Sequence, residues 1–255
     1  MLAAGSSGTA LAHHLERQDG FGPPHFGHPL VAESPSPDTK LRLDYLYRNE
    51  DGANRHTGNL EGEYAFAPWV SLEADLPYTF LDPDGSSGRS NLDNVEIALK
   101  LATTLVPGRA LIGGGLELGL PTGDDDKGIG SSREIEVAPF LDFGVKNGAM
   151  ETVAFVKFAI PTNQPPDEAD AVDLEIIYNV AFSHDWSEHL RLLLEFDGSV
   201  VAAGTASESI LNITPGIKVR PVAGIPLDFG LGVSVPLTSD KAFDTKVIFS
   251  GFYHF

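Results

Sequence analysis

The chain has 255 residues and no cysteine, and its 17 Lys and Arg against 36 Asp and Glu give a formal net charge of −19. Such an acidic chain is a poor partner for nucleic acid, whose phosphates attract Lys and Arg. Without cysteine it forms no disulfide and offers no thiolate as nucleophile or metal ligand. The sequence also has no charge-free apolar run of the ~18 residues that a membrane helix needs. With 42% hydrophobic residues and 27 glycines, the composition favours a glycine-rich β protein.

The N-terminal 38 residues are predicted to precede the folded domain. Residues 1–12 read MLAAGSSGTALA, and Ala10-Leu11-Ala12 has the small-x-small pattern of a signal-peptidase site. We expect a truncated signal-peptide remnant there; the alternative is an ordinary disordered terminus. Residues 13–38 are rich in His and Pro, and the prolines argue against a helix or a central strand. This second stretch is predicted to be a flexible tail, in the periplasm if the topology below holds.

From Lys40 onward, apolar and polar residues alternate with a period of two, which is typical of β-strands with two different faces. The alternation is clearest at 40–49, 94–103, 173–183 and 211–220. About twelve such segments are predicted, centred near residues 45, 62, 73, 97, 115, 138, 155, 177, 192, 214, 231 and 249. Most span ten or more residues, whereas soluble strands have ~5–6 and membrane-crossing strands ~9–11.

The predicted connections between strands alternate in length. Short ones at Ala67-Pro68, Pro107-Gly108 and Asn147-Gly148 suit tight hairpins. Longer polar connections are predicted at 51–57, 82–90, 123–132, 163–171, 199–207 and 239–242. This pattern predicts an all-β fold, a transmembrane antiparallel up-and-down β-barrel of about 12 strands at residues 39–255, with both termini on the short-turn, periplasmic side.

The last predicted strand places Val247, Phe249, Tyr253 and Phe255 on one face, and the chain given ends at Phe255. A C-terminal strand that ends in Phe resembles the sorting signal read by the outer-membrane assembly machinery. We therefore expect Phe255 to contact that machinery.

Several short motifs carry a family resemblance. They are the strand exit GLPTG at 119–123, the segment ITPGIKVRP at 213–221, and the terminal Phe255. Together with the strand pattern they resemble the transporter-like outer-membrane proteins of the phenol meta-degradation pathway, over roughly residues 39–255. The resemblance implies a small Gram-negative β-barrel for uptake of aromatic or other small solutes, and it assigns no functional residues.

The orientation of the strands follows from the cost of charge in lipid. An Arg or Lys facing the bilayer midplane costs ~2–4 kcal/mol, so the apolar faces are predicted to contact outer-membrane lipid and the charged faces to line the lumen. The predicted lumen-lining residues of the solute path are Glu61, Glu63, Glu73, Asp75, Glu96, Lys100, Asp142, Arg191, Glu195, Lys218 and Arg220. Acids outnumber bases in this set, which predicts a conduit that disfavours anions. The alternative is that ion pairs simply fill and stiffen a narrow barrel.

Signs of catalysis or of bound cofactors are weak. No serine lies in a Gly-x-Ser-x-Gly elbow, and the glycines at 113–115 lie within a strand pattern instead of before a helix. The histidines His13, His14, His25 and His28 could gather a transition metal, but their spacing matches no standard site. Acidic loops at 124–126 and 167–170 could hold Ca²⁺, although solvated loop tips of this kind are commoner. We predict no enzyme activity, no cofactor and no metal site.

Three functions are compatible with these features. The predicted one is a channel or facilitator for small solutes in the bacterial outer membrane, with lipid, the assembly machinery and an unidentified solute as partners. The second is a non-transporting structural or interaction barrel whose lumen is plugged by its own side chains or by the N-terminal tail. The third is a soluble secreted sandwich or ligand-binding barrel, for which strands of ten residues would be unusual.

Overall fold

The computed structural model of the chain describes residues 24–163, 172–205, 207–222 and 224–255. In these ranges the regular structure consists of thirteen strands and one 3₁₀ turn, Asp125–Lys127. No helix in the described ranges is long and apolar enough to cross a membrane. The predicted signal-peptide remnant at 1–12 lies outside the described residues.

The strands are, in chain order, β1 (Lys40–Glu50), β2 (Ala53–Ala67), β3 (Val70–Pro83), β4 (Arg89–Leu92), β5 (Val95–Val106), β6 (Ala110–Leu120), β7 (Ile135–Asn147), β8 (Met150–Thr162), β9 (Val172–Ser187), β10 (Leu190–Gly204), β11 (Ser209–Val219), β12 (Leu227–Pro236) and β13 (Thr245–His254).

Twelve of these strands form a closed antiparallel barrel. Each pairs with its neighbours along the chain, and β1 closes the barrel by pairing with β13 as well as with β2. Strand β4 has four residues and pairs only with the end of β3, so β3 also pairs directly with β5. All twelve predicted strand centres fall within barrel strands. The predicted 12-strand up-and-down barrel is thereby confirmed.

The connections follow the predicted alternation, but two predicted loops are wrong in part, namely 51–57 and 199–207, of which 199–204 belong to β10. On the side of the chain termini, β2–β3, β7–β8 and β9–β10 are joined by two residues each. On the other side, the predicted loop at 51–57 is wrong, because β1 and β2 are joined by the turn Asp51-Gly52, with Gly52 at φ +72°. Strand β2 has 15 residues, more than the ~9–11 that cross a bilayer, so its polar start continues the ladder beyond the apolar zone.

The two faces of the barrel have opposite character. The outward face is apolar: Leu43, Phe66 and Trp69 are 61%, 63% and 60% exposed. The inward face is polar, and there Lys100 and Glu195 are 1% and 0% exposed. A soluble protein would bury the first set and expose the second. The arrangement fits a barrel whose exterior contacts lipid, and it excludes the soluble sandwich.

Candidate functional site

Ten of the eleven predicted lumen residues lie in barrel strands, and Arg220 follows the end of β11. Seven of them are buried, namely Glu61, Glu63, Glu73, Lys100, Asp142, Glu195 and Lys218. The other four, Asp75, Glu96, Arg191 and Arg220, are half-buried. Lumen position was predictable because a two-residue period fixes which face a side chain occupies once one residue of the strand is placed.

Residues 24–39, called the luminal segment below, lie inside the barrel. They have no regular secondary structure, as their prolines predicted. The prediction of a flexible tail differs from the structure over 24–38, because this stretch is packed against inward-facing side chains: Phe26 and Leu30 are 0% and 3% exposed. Residues 13–23 of the predicted tail lie outside the described ranges.

Glu195 on β10 holds the middle of the luminal segment. Its carboxylate accepts hydrogen bonds from the backbone N–H groups of Leu30, Val31 and Ala32 at 2.7, 3.0 and 2.8 Å. Buried backbone donors need partners, and a segment without secondary structure cannot supply them itself. A single buried carboxylate therefore satisfies three donors of the segment.

Glycines on three strands make room for the apolar side chains of the segment. A Cβ atom on Gly216, Gly230 or Gly232 would lie 2.7, 2.3 or 2.8 Å from a methyl carbon of Leu30. A Cβ atom on Gly144 of β7 would similarly lie 2.8 Å from the Phe26 ring. The inner wall of the barrel is therefore complementary in shape to the luminal segment.

A buried ion-pair cluster joins the segment to β1, β2 and β5. Lys40 Nζ lies 2.6 Å from Glu61 Oε1 and 2.9 Å from Glu63 Oε2. Lys100 Nζ lies 2.5 Å from Glu33 Oε1 of the segment and 3.4 Å from Glu63 Oε1. Lys40 was not predicted as a lumen residue, although it shares the inward parity of the other charged residues of β1.

The predicted lumen bases near the chain termini have separate partners. Arg191 lies 3.0 Å from Glu151 and 2.6 Å from Asp185, and Arg220 lies 2.8 Å from Asp228. Beside them is a cavity of about 290 Å³, lined in part by Arg191, Lys218 and Arg220. Lys218 also donates to the backbone carbonyl of His28 at 2.8 Å, which ties the luminal segment to the floor of this cavity.

The other half of the lumen carries an acidic patch, defined as Asp75, Glu96, Glu117 and Glu136. Asp75 and Glu96 are direct cross-strand partners on β3 and β5. Lys157 belongs to this region, 2.6 Å from Glu117 and 3.9 Å from Glu136. Within the patch, four acids therefore share one ion-paired base.

Asp38, at the end of the luminal segment, lies among three histidines. Its Oδ2 atom is 3.1 Å from His25 Nε2, 3.1 Å from His28 Nε2 and 2.6 Å from His254 Nδ1. Burial and the nearby Lys40 lower the pKa of His28. Burial alone would raise the pKa of Asp38, but hydrogen bonds from His25, His254 and His28 hold it well below its usual range. The sequence analysis singled out His25 and His28 but not His254 or Asp38, which are 216 residues apart.

The closed barrel, its apolar exterior and its charged lumen define a transmembrane β-barrel of the bacterial outer-membrane type. No protein-family model matches the sequence, and no curated protein matches it. Solved structures do match. One is the COG4313 outer membrane channel from Pseudomonas putida F1, with TM-score 0.71, 12% identity, and coverage of 90% of this chain and 100% of that chain.

Two porins are also similar. The NanC porin has a TM-score of 0.61 at 6% identity, and the KdgM porin in complex with disordered oligogalacturonate has 0.56 at 12% identity. In both cases the match covers 84% of this chain and 99% of the other. At such low identities the likeness shows the fold. The fold is therefore shared with outer-membrane channels and porins.

Proposed function

We propose that the chain is an outer-membrane channel or facilitator for small solutes. The observation that carries the proposal is the lumen, whose inward faces hold charged side chains such as Glu96 and Arg191 inside an apolar exterior. Burying many charges is costly, and a barrel needing only stability would gain more from an apolar filling. The likeness to channels and porins supports the proposal and favours transport over enzyme activity.

Aromatic compounds are the solute class that the family resemblance implies. The resemblance rests on GLPTG at 119–123, ITPGIKVRP at 213–221 and Phe255. The proposed path runs past the acidic patch, then past the luminal segment, and leaves through the cavity beside Arg191 and Arg220. The luminal segment is its constriction.

The luminal segment also supports a second candidate, a barrel that is permanently plugged. Phe26 and Leu30 fill space between the strands, and Glu195, Arg42 and Lys218 all bond to the backbone of the segment. If these contacts never release, the barrel serves a structural or interaction role. The two candidates differ in one measurable property, which is conductance.

Planar-bilayer conductance of the full chain tests both candidates. The informative variant is Glu195→Gln, because an amide oxygen replaces only part of the carboxylate that accepts from three N–H groups. Its matched control is Asp197→Asn on the same strand, whose carboxylate contacts Asn212 and Thr214 and not the segment. Heat-dependent gel mobility verifies folding of each sample.

We expect the native chain to conduct and Glu195→Gln to conduct several-fold more, with Asp197→Asn close to native. A silent native chain together with a conducting Glu195→Gln variant would support the plugged barrel. Silence of both in folded samples would overturn the channel function.

A further inference from the structure

Three imidazoles and one carboxylate converge where the luminal segment meets the end of the barrel. His25 and His28 belong to the segment, Asp38 precedes β1, and His254 is the last residue of β13. One ligand atom from each residue lies within 4.8 Å of all the others. Three of the groups belong to the luminal segment and the fourth to β13, so closure of the barrel brings them together.

The spacing is close to what a four-coordinate metal requires. With metal–ligand bonds of about 2.0–2.1 Å, the donor atoms of a tetrahedral site are about 3.3–3.4 Å apart. The observed contacts of 3.1, 3.1 and 2.6 Å to Asp38 Oδ2 are slightly shorter, so the carboxylate need only move away by a fraction of an ångström. The imidazole rings of His28 and His254 have centroids 5.3 Å apart, so both rings reach the same site.

We propose that His25, His28, His254 and Asp38 bind one divalent transition-metal ion, with Zn²⁺ as the best-fitting probe, and that the ion fastens the luminal segment to the barrel. Imidazole nitrogens with one carboxylate suit Zn²⁺ and its neighbours, whereas Mg²⁺ and Ca²⁺ prefer oxygen ligands. The site does not depend on whether the barrel conducts.

Asp38 Oδ2 has more ring-nitrogen neighbours than it has lone pairs to share with them, and a bound cation would relieve this. One carboxylate oxygen has two lone pairs, yet three ring nitrogens approach Asp38 Oδ2. A bound ion replaces the shared ring protons and takes one lone pair from each of the four groups. The cavity lined by His28 and His254 gives the ion a route from solvent.

Metal binding requires Lys40 to move away from His28. Its Nζ lies 3.2 Å from Nδ1 of His28, so a metal on Nε2 places the ring proton of His28 towards this ammonium. Lys40 can turn away because it is also 2.6 Å from Glu61, 2.9 Å from Glu63 and 3.4 Å from Glu73. The other group of possible ligands, Glu33 with Glu63 and Glu73, is already ion-paired with Lys40 and Lys100 and is not proposed as a site.

The test is Zn²⁺ binding by the full-length barrel, purified in detergent without a polyhistidine tag and stripped with EDTA. Titration against a chromophoric chelator gives affinity and stoichiometry, and Co²⁺ absorption reports four-coordination. The key variants are His25→Ala, which leaves every strand intact, and His254→Ala. The matched controls are His184→Ala, a half-buried histidine on β9, and a variant with His13 and His14 both replaced by Ala.

We expect one Zn²⁺ per chain, and a loss of at least about 100-fold in affinity for His25→Ala and His254→Ala, since even outer-shell changes cost 10–100-fold. Both controls should bind as the native chain does. Amide hydrogen exchange at 24–39 should slow with Zn²⁺ in the native chain and not in His25→Ala.

Two results would overturn the proposal. One is a native chain that binds no Zn²⁺, or binds it equally well in His25→Ala. The other is binding that disappears when His13 and His14 are replaced. If His254→Ala fails to fold, the His25→Ala result decides alone.

Discussion

Leu30 sits where Gly216, Gly230 and Gly232 leave the barrel wall without side chains. These glycines lie on the adjacent strands β11 and β12, so their missing Cβ atoms form one continuous depression. Glycine inside a strand weakens it, because it gives up more backbone entropy than other residues do. That cost is offset here by the burial of Leu30 against Phe252 and Ile248.

Substituting one of these glycines tests the depression directly. In Gly230→Ala the new Cβ would lie 2.3 Å from Leu30 Cδ2, so Leu30 must move. Overpacking costs about 1–3 kcal/mol, against a gain of about 0.5–1 kcal/mol from strand propensity, and we expect a net loss of unfolding free energy in lipid vesicles. The control Gly62→Ala has nothing within 4 Å of its Cβ and should be neutral or stabilising.

A second substitution should restore part of the stability that Gly230→Ala loses. Combining Gly230→Ala with Leu30→Ala removes the clash, so the two changes should be less damaging together than the sum of their separate effects. Strict additivity of the two changes in unfolding free energy would show that Leu30 does not occupy the depression.

The positions of the strands could be predicted from the sequence, because the alternation of apolar and polar residues is a local signal. The segment predicted at 40–49 is β1 (Lys40–Glu50), and the one at 94–103 lies almost entirely within β5 (Val95–Val106). Local polarity gave a wrong prediction where strands continue beyond the apolar zone into water, as β1 and β2 do up to the Asp51-Gly52 turn. It also missed β4, which exists only through pairing with β3.

The luminal segment shows why the candidate site was harder to predict. Its prolines correctly predicted the absence of regular structure, but its burial depends on Glu195, which is 165 residues from Leu30. The histidine cluster likewise needs His254, 216 residues from Asp38. Composition predicts the conformation of a single segment. Contacts between residues this far apart in the sequence form only when the barrel closes.

Phe255 follows the last residue of β13 and projects outside the barrel interior. Phe255 is 77% exposed, and its backbone N–H donates to Thr39 O at 3.0 Å, so the main chain is paired while the side chain projects outward. Such a side chain is accessible to another protein during insertion of the barrel into the membrane. We propose that the outer-membrane assembly machinery reads it.

Phe255→Ser should therefore slow assembly and direct the protein to periplasmic proteolysis, because the terminal aromatic signal is lost while the backbone pairing remains. The measurement is the amount of folded, heat-modifiable barrel in outer-membrane fractions. The control is Val222→Ser, another exposed apolar residue on the same side of the barrel, which should assemble normally. Normal levels of folded Phe255→Ser protein would contradict the proposed signal.

Across the whole molecule, charge is distributed unevenly along the lumen. In the half near the chain termini, Lys40, Lys100, Arg191 and Arg220 each form an ion pair with an acid. The other half has the acidic patch with Lys157 nearby, and the chain as a whole carries a net charge of −19. A passage lined by one sign of charge concentrates counter-ions, and the effect weakens as salt shortens the Debye length of ~8–10 Å.

If current flows, we therefore expect a preference for cations over anions that is strongest at low salt. Reversal potentials in planar bilayers at two salt concentrations measure it. Replacing Asp75 by Asn and Glu96 by Gln together should reduce the preference, because both side chains face the lumen. The control Glu208→Gln removes the same kind of charge from the exposed connection between β10 and β11 and should leave the reversal potential unchanged. Anion selectivity of the native chain, or equal shifts in the patch and control variants, would contradict the idea that the acidic patch sets ion preference.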